Sequence, residues 1–477
     1  MDLIENIFVG REKESSDLVG LLKQNRSDLV AIIGRRRIGK TFLVKKVFKD
    51  QLNFHFTGIK ESDVTSTLRA FSQKIAETAN TNFQIATPKN WMEAFGLLKT
   101  YLLTIKNPKK KVLFFDEFPW LDAHKSGFLP AFEYFWNDWA VDQNIIIVVC
   151  GSSTSWMIKN VLNNKAGLHN RITKYINLSP FTLAETRALL LAKGIKLPHY
   201  EIIQIYMALG GVPYYLNEVK AGDSAVQNID NILFNGNSSL KKEFQNLYRA
   251  LFDNYEKYES IVKALATKRK GLTRQEIIAE TGIPNGGGLS RMLNELEESA
   301  FIKTFQPFDK AKKETLYRLM DEYSVFYFQF SPQKNKAGSF IQLSTSPKYS
   351  SWAGFAFETL CIKHIQKLKE ALGISGVYTQ ENSYYFKGND TENGFQIDLL
   401  IDRNDNAINI CEMKFYGDEY TLSKKEAETL RKRRVLFQEK TSTKKCLINT
   451  LITTYGLHQN ENSIGVVDKV ILMNQLF

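Results

Sequence analysis

Three stretches of the chain are apolar almost without interruption: 29–33 (LVAII), 112–115 (VLFF) and 145–150 (IIIVVC). Short runs of this kind are what the strands of a parallel sheet look like when helices cover both faces. Between them the spacing of apolar positions turns helical, so residues 1–180 are expected to form an α/β sheet domain. From Ser179-Pro180-Phe181-Thr182 onward the texture is helical, and Thr182 with Glu185 spells a capping box, which sets 181–240 apart as a helical segment. A second capping box, Thr273-Arg274-Gln275-Glu276, opens a short helix over 274–281, and Gly282-Ile283-Pro284 makes a turn. Leu289, Met292, Leu293 and Leu296 then recur at helical spacing, and two strand-like runs, 301–305 and 315–319, flank a polar 309–313. Helix, turn, helix and hairpin in this order give a winged helix-turn-helix pattern over 241–330. A linker is expected over 331–349. The remainder, 350–477, reads as another α/β domain, with a helix over 354–369 and strands at 397–401, 407–411 and 447–453.

Composition narrows the class. A chain of 477 residues has room for roughly two to four domains. Its 43% hydrophobic and 24% charged content exclude disordered, collagen-like and disulfide-scaffold proteins. The four cysteines, Cys150, Cys361, Cys411 and Cys446, are far apart and lack metal-binding spacing, so they are expected as thiols in a reducing cytoplasm. No run approaches the ~18 uncharged apolar residues of a membrane span. The opening residues, MDLIEN, do not resemble a signal sequence, and a cytoplasmic location without membrane contact is expected.

The strongest chemical signal is Gly34-Arg35-Arg36-Arg37-Ile38-Gly39-Lys40-Thr41, a full G-x4-G-K-[ST] match between the run 29–33 and the helical 42–48, which begins at Phe42. A loop that opens a helix presents backbone N–H groups to phosphate at the positive end of the helix dipole. Lys40 is expected on the β- and γ-phosphates and the Thr41 hydroxyl on Mg²⁺. The loop's partner is an acid at the end of a buried strand, and Val112-Leu113-Phe114-Phe115-Asp116-Glu117 supplies one. Asp116 is expected to hold Mg²⁺ through water, and Glu117 to orient or deprotonate the attacking water. Ser152, just after the run 145–150, is placed to sense the γ-phosphate; Ser and Thr after a strand also serve as ordinary turn formers. Arg171 has two readings: an arginine finger offered to a neighbouring copy in a homo-oligomer, or a surface ion-pair residue.

Together with Phe8-Val9-Gly10-Arg11-Glu12, Asp116-Glu117-Phe118-Pro119-Trp120 and Cys150-Gly151-Ser152-Ser153, this loop resembles the archaeal-type ATPases, an AAA-like, STAND-related branch of P-loop ATPases. Gly210-Gly211-Val212-Pro213 resembles the signature of that family's helical lid. The resemblance implies a P-loop NTPase sheet domain with a helical lid, and ATP/ADP as ligand. It implies Val9, Gly10 and Arg11 beside the base, Pro213 near adenine, and a lid that swings on nucleotide exchange.

In the last domain, Asp398 opens one strand-like run while Glu412 and Lys414 end the next. Two residues apart on a strand, Glu412 and Lys414 share a face. If 403–406 turns a hairpin, Asp398 and Glu412 converge, and two carboxylates suit Mg²⁺ or Mn²⁺ with water positions left open. Lys414 would then orient a metal-activated hydroxide or stabilise developing charge. Glu358, on the preceding helix, is a further candidate ligand. This layout resembles the PD-(D/E)XK nuclease superfamily, with Ile397 where the namesake motif has proline. It is most similar to the C-terminal restriction-endonuclease-like domain that accompanies archaeal-type ATPases.

Net charge bears on the partner. Lys and Arg number 63 against 51 Asp and Glu, formally +12. Residues 421–446 carry +6 and residues 241–320 carry +4, so ten of the twelve surplus charges lie in 106 residues. A polyanion such as DNA is therefore expected at the helix-turn-helix segment and beside the carboxylates, the other reading of the winged helix being a relay of motion between domains. The expected contacts are Asn285, Ser290, Arg291 and Asn294 on the second helix, with Lys268-Arg269-Lys270, Lys310, Lys312 and Lys313 on phosphates. The basic stretch Lys424, Lys425, Arg431, Lys432, Arg433, Arg434, Lys440, Lys444 and Lys445 lies downstream of the carboxylates; runs of this kind also occur as solvated faces. Two function classes remain open: an ATPase coupled to DNA binding and metal-dependent DNA cleavage, and a nucleotide-dependent switch whose C-terminal domain only binds DNA or protein.

Overall fold

The computed structural model describes residues 7–477 except 81–84, 107–108, 163–167, 169, 236–238, 250, 253, 269, 310–313, 331–337 and 389–392. Arg269, Lys310, Lys312, Lys313 and residues 331–337 of the expected linker thus lie outside the described residues. The chain divides into two compact units, one of residues 8–179 with 250–252, the other chiefly of 180–249 and 253–477.

In the first unit, strands β1 (Asp28–Ile33), β2 (Leu52–Thr57), β3 (Lys111–Asp116), β4 (Ile145–Gly151) and β5 (Lys174–Asn177) form a parallel sheet in the order β2-β3-β4-β1-β5. Every residue of β1 and of β4 is buried. Leu29, Ala31 and Ile33 join Leu113, Phe115, Ile147 and Val149 against an aromatic layer that includes Phe71, Trp91, Phe95 and Phe132. Val30, Ile32, Phe114, Ile146 and Val148 pack with Ile38, Leu43 and Val44 on the opposite face. Both sides of the pleat are apolar, which is why the strands show continuous runs and no alternation. Asp28, fully buried at the start of β1, pairs with the Lys110 ammonium at 2.9 Å, which also donates to the Leu21 carbonyl. Charges removed from water require such partners.

The second unit opens with helix Leu183–Ala192, whose Thr182–Glu185 capping box is formed as expected. Helix His199–Leu209 follows and ends at Gly210. A Cβ at Gly211 would fall 1.9 Å from the Phe181 carbonyl oxygen, so the turn into helix Pro213–Leu216 admits only glycine there. Helix Arg274–Thr281 carries the second capping box, and helix Gly287–Glu298 buries Leu289, Met292, Leu293 and Leu296. Strands β6 (Leu272–Thr273), β7 (Ile302–Phe305) and β8 (Leu316–Leu319) form an antiparallel sheet in the order β6-β8-β7.

The main C-terminal sheet has the order β15-β13-β11-β10-β9. Its strands are β9 (Thr379–Gly388), β10 (Asn393–Arg403), β11 (Ala407–Lys414), β13 (Cys446–Thr453) and β15 (Lys469–Leu472), while β12 (Tyr420–Thr421) pairs with β14 (Leu457–His458). Between β12 and β13 runs helix Lys424–Thr441. Cys150, Cys361 and Cys411 are buried, whereas Cys446 is exposed at the start of β13. Among the described residues no helix is long and apolar enough to cross a membrane.

Two expected elements differ. Residues 339–343 of the expected linker are helical, and the helix expected over 354–369 is two helices, Pro347–Lys363 and Ile365–Ala371. The break falls at His364, whose ring is committed on both sides: Nδ1–H donates to the Leu360 carbonyl at 2.9 Å, and Nε2 accepts from the Leu183 N–H at 3.1 Å. A residue of the C-terminal segment thus satisfies a free N–H at the start of helix Leu183–Ala192. The same segments are joined by Tyr200 stacked on Phe415 at 4.8 Å, Gln204 donating to the Tyr349 hydroxyl at 2.7 Å, and Lys363 paired with buried Glu322 at 2.7 Å. Residues 181–240, 350–477 and, apart from 250–252, 241–330 cluster in one unit accordingly.

Burial, with Lys363 and Lys367 nearby, pushes the His364 imidazole down to about 4 from 6.5, so the folded ring is neutral. The unfolded chain takes up a proton that the folded one refuses. This contribution is therefore complete above about pH 6.5 and is lost as pH falls from there toward about 4. His364→Ala is expected to leave the Leu183 N–H unpaired, costing about 1–3 kcal/mol near neutral pH. Urea unfolding at about pH 7.5 and about pH 5 should show a smaller acid loss in the variant than in the wild type.

Candidate nucleotide and carboxylate sites

β1 leads into the loop 34–39, and helix Lys40–Val47 leaves it. Gly34 has φ 140°, and a Cβ there would meet the Leu178 carbonyl oxygen at 2.4 Å, so the loop can begin only on glycine. Arg37 and Gly39 also take positive φ, which curls the loop so that the helix N-terminus closes it. Lys40 is buried, and its ammonium donates to the Gly34 carbonyl at 2.7 Å and the Arg35 carbonyl at 3.0 Å. Burial lowers its pKa, against the pull of Glu117 and Asp116. Arg35 is buried, Arg36 exposed, and Ile38 sits in the core beneath the loop. Arg11, left-handed at φ 63°, reaches the Ile38 carbonyl at 3.3 Å, and Phe8 packs on Phe42 at 5.8 Å. The segment with Val9 and Gly10 is thereby tied to the loop. Pro213, in the other unit, is the first residue of its helix.

Because β4 lies between β1 and β3, the ends of all three strands meet. Asp116 Oδ2 accepts from the Thr41 hydroxyl at 2.8 Å. Asp116 Oδ1 accepts from the Cys150 thiol at 2.8 Å and from the Glu117 N–H at 3.0 Å. Burial beside Asp116 pushes the Cys150 thiol up, which keeps it a donor. Glu117, in a left-handed conformation at φ 45°, takes its carboxylate to Ser152: the hydroxyl donates at 2.6 and 2.7 Å and the backbone N–H at 3.2 Å. The structure brings Lys40, Thr41, Asp116, Glu117 and Ser152 together. The Cys150 thiol was missed as an Asp116 partner; its sole sequence signal is its place as the last polar atom of an apolar run. Arg171 is exposed in the turn before β5.

These groups fit a nucleotide and Mg²⁺. The loop N–H groups and Lys40 suit phosphate, while a hydroxyl and a carboxylate already 2.8 Å apart are the oxygen donors Mg²⁺ selects.

The C-terminal hairpin forms as expected: β10 and β11 pair antiparallel, Leu399 opposite Cys411 and Leu400 opposite Ile410, which sets Asp398 and Glu412 on facing positions. A register shift against β9 between Ile397 and Leu400 disturbs the strand at that point. The side chains are nevertheless occupied. Glu412 Oε1 meets the Lys414 ammonium at 3.0 Å and Oε2 meets Arg433 at 2.6 Å. Burial raises the Glu412 carboxyl, but Arg433 and Lys414 outweigh it and hold it below its ordinary value. Asp398 accepts from Gln396 at 2.7 Å. Glu358 Oε2 lies 3.5 Å from buried Arg318, a β8 residue whose charge interacts with both Glu358 and Asp398. Among the described residues no three His, Cys, Asp or Glu side chains are grouped to hold a metal. In this arrangement the carboxylates do not fit a divalent ion, since Lys414 and Arg433 hold both Glu412 oxygens and Arg318 stands beside Glu358. Sequence reasoning missed Arg318 and the pairing of Arg433, because four consecutive basic residues, 431–434, give no sign of which turns inward.

Of the basic stretch, Lys424, Lys425, Arg431 and Lys432 are exposed. Arg433, Arg434 and Lys445 pair with Glu412, Asp468 and Asp402. Ser290, Arg291 and Asn294 are exposed on helix Gly287–Glu298, and Asn285 is exposed in the turn before it.

Residues 8–219 match the family described as an ATPase domain predominantly from Archaea. An uncharacterised protein of Methanocaldococcus jannaschii is 25% identical over 420 residues, covering 86% of this chain and 88% of that protein. Similar solved structures include a Walker-type ATPase of Pyrococcus abyssi, 18% identical, covering 68% of this chain and 96% of that one at a TM-score of 0.48. The Aeropyrum pernix ORC2 protein, in ADPNP–ADP complexes, is 13% identical, covering 70% and 97% at a TM-score of 0.42. The chain carries a P-loop ATPase domain and hydrolyses ATP. Lys40→Ala is expected to cut turnover at least about 10²-fold by removing the loop's phosphate-facing charge. Steady-state phosphate release measures this, and unchanged hydrolysis contradicts the assignment.

Proposed function

We propose that ATP turnover in this chain governs a DNA-acting module formed by its second unit. In the nucleotide site, Lys40 exchanges the Gly34 and Arg35 carbonyls for the β- and γ-phosphates. Thr41 would hold Mg²⁺, with Asp116 holding it through water, and the bound ion would supply positive charge against the phosphates. Glu117, once its carboxylate leaves Ser152, orients or deprotonates the attacking water. Ser152, at the end of the strand between the other two, is placed to answer to the γ-phosphate. Arg171 is the group that a neighbouring copy would offer in a homo-oligomer.

The observation that carries the DNA reading is the placement of the surplus charge. Exposed Lys424, Lys425, Arg431 and Lys432 lie on helix Lys424–Thr441, whose Arg433 reaches Glu412 of the hairpin. The helix–turn–helix–hairpin over 274–319 is read as a winged helix, with Asn285, Ser290, Arg291 and Asn294 presented to DNA. The hairpin of Asp398, Glu412 and Lys414 is read as a restriction-endonuclease-like phosphodiester site. A second reading, a switch whose C-terminal domain only binds DNA or protein, is favoured by one observation: both Glu412 oxygens are engaged by cations.

Duplex DNA binding should weaken with salt. Neutralising about four phosphates gives a slope near −3.6 in log K against log salt, and Lys425→Ala with Lys432→Ala should reduce its magnitude by about 2. Fluorescence anisotropy with and without ATP measures this, and a flat salt response rejects the basic face. Asp398→Ala separates the two readings. Metal-dependent cleavage that disappears in this variant while ATP turnover persists supports the nuclease-like reading. Cleavage that survives in the variant excludes this hairpin.

A further inference from the structure

One of the groups that hold Asp116 is out of keeping with its strand. β4 is buried along its whole length, and Ile146, Val148 and Cys150 pack on the face that Leu43 and Val44 of helix Lys40–Val47 cover. For packing alone, a small aliphatic side chain would fill position 150 as well as a thiol does. Its neighbour is not aliphatic, however. Phe115 faces Val149 in the β3–β4 ladder, so the residues that follow them, Asp116 and Cys150, sit side by side on adjacent strands. There the thiol donates to Asp116 Oδ1 at 2.8 Å.

The two oxygens of Asp116 are held differently. Oδ1 takes the Cys150 thiol and the Glu117 N–H, one donor from β4 and one from the end of β3. Oδ2 takes the Thr41 hydroxyl, a rotor that can turn to another partner. Oδ2 is therefore the oxygen that faces the nucleotide loop once Thr41 turns away. Without the thiol, Oδ1 would keep only the N–H of Glu117, a residue itself strained at φ 45°. A carboxylate held by one donor swings about its own axis, whereas two donors from different strands fix its aim. Groups of this kind, behind an acid that serves a metal, orient it without touching the ion.

We propose that Cys150 is a positioning residue for ATP turnover, its thiol fixing Asp116 so that Oδ2 stays aimed at the loop and nucleotide binding gains from Mg²⁺. This rests on the reading of Asp116 as the acid that holds Mg²⁺ through water. The thiol acts through Asp116 alone. An apolar residue in its place keeps the core and loses the aim.

Equilibrium binding of a fluorescent, hydrolysis-resistant ATP analogue to the full chain, in Mg²⁺ and in EDTA, tests this. The quantity read is the ratio of the two affinities, which measures the coupling between ion and nucleotide; damage to packing alone lowers both affinities together. Cys150→Ala and Cys150→Val, which remove the donor, should each lower the ratio about ten-fold. Cys150→Ser, which keeps a donor, should stay within about three-fold of the wild type. A ratio lowered in the alanine variant but kept in the valine variant, which refills the space, assigns Cys150 to packing and overturns the proposal. A serine variant that falls as far as the other two overturns it as well. The valine variant carries the test if the alanine variant does not fold. Asp116→Asn separates the proposal from its premise. A ratio lowered in Asp116→Asn but unchanged in both apolar variants overturns the positioning role alone. A ratio unchanged in Asp116→Asn overturns the reading of Asp116 and the proposal together.

Discussion

A charge taken out of water must be met by an opposite charge or by hydrogen bonds, and most of the local architecture of this protein follows from that requirement. Lys40 is buried, and its ammonium is met by the carbonyls of its own loop. Glu117 turns to Ser152, and Asp116 is filled by Thr41, Cys150 and the next backbone N–H. Glu412 is filled by Lys414 and Arg433. Each functional group therefore has an internal partner that a ligand must displace. Binding becomes an exchange of partners, and its net free energy is much smaller than the strength of any single new contact.

The sheet order links the partners at the nucleotide site through shared hydrogen bonds. With β4 between β1 and β3, the loop, Asp116, Glu117 and Ser152 come from three adjacent strand ends. Thr41 and Ser152 have no bond to each other, but each bonds to one of two successive acids, Asp116 and Glu117. A change on the loop side alters the hydrogen bonds of Asp116, whose Oδ1 also holds the Glu117 N–H. Backbone strain at Glu117, with φ 45°, fixes the direction of its side chain, so a small shift there re-aims the carboxylate.

How much of this was legible depended on whether the signal was local. The P-loop, the capping boxes at Thr182 and Thr273, and the hairpin turn after Arg403 are written in consecutive residues, and each forms where the spacing puts it. The facing positions of Asp398 and Glu412 follow from the same hairpin. The break at His364 was not legible, because its cause is the Leu183 N–H, 181 residues away in sequence. Nor was the Arg318–Glu358 contact, which joins a residue of β8 to a helix 40 residues later. Such pairings depend on tertiary packing, which no periodicity reports.

The same distinction alters what the net charge means. Counted along the chain, 421–446 holds a surplus of +6. In the folded protein Arg433, Arg434 and Lys445 are answered by Glu412, Asp468 and Asp402, three acids from neighbouring strands and loops outside that segment. The charge that remains for a polyanion is concentrated in the exposed lysines and arginine of helix Lys424–Thr441. Arg434 sits about one-third exposed in its pair, where solvent screens the attraction and a phosphate can compete on nearly equal terms. Arg433 and Glu412 are more deeply enclosed, so separating them without a replacement for each is costly.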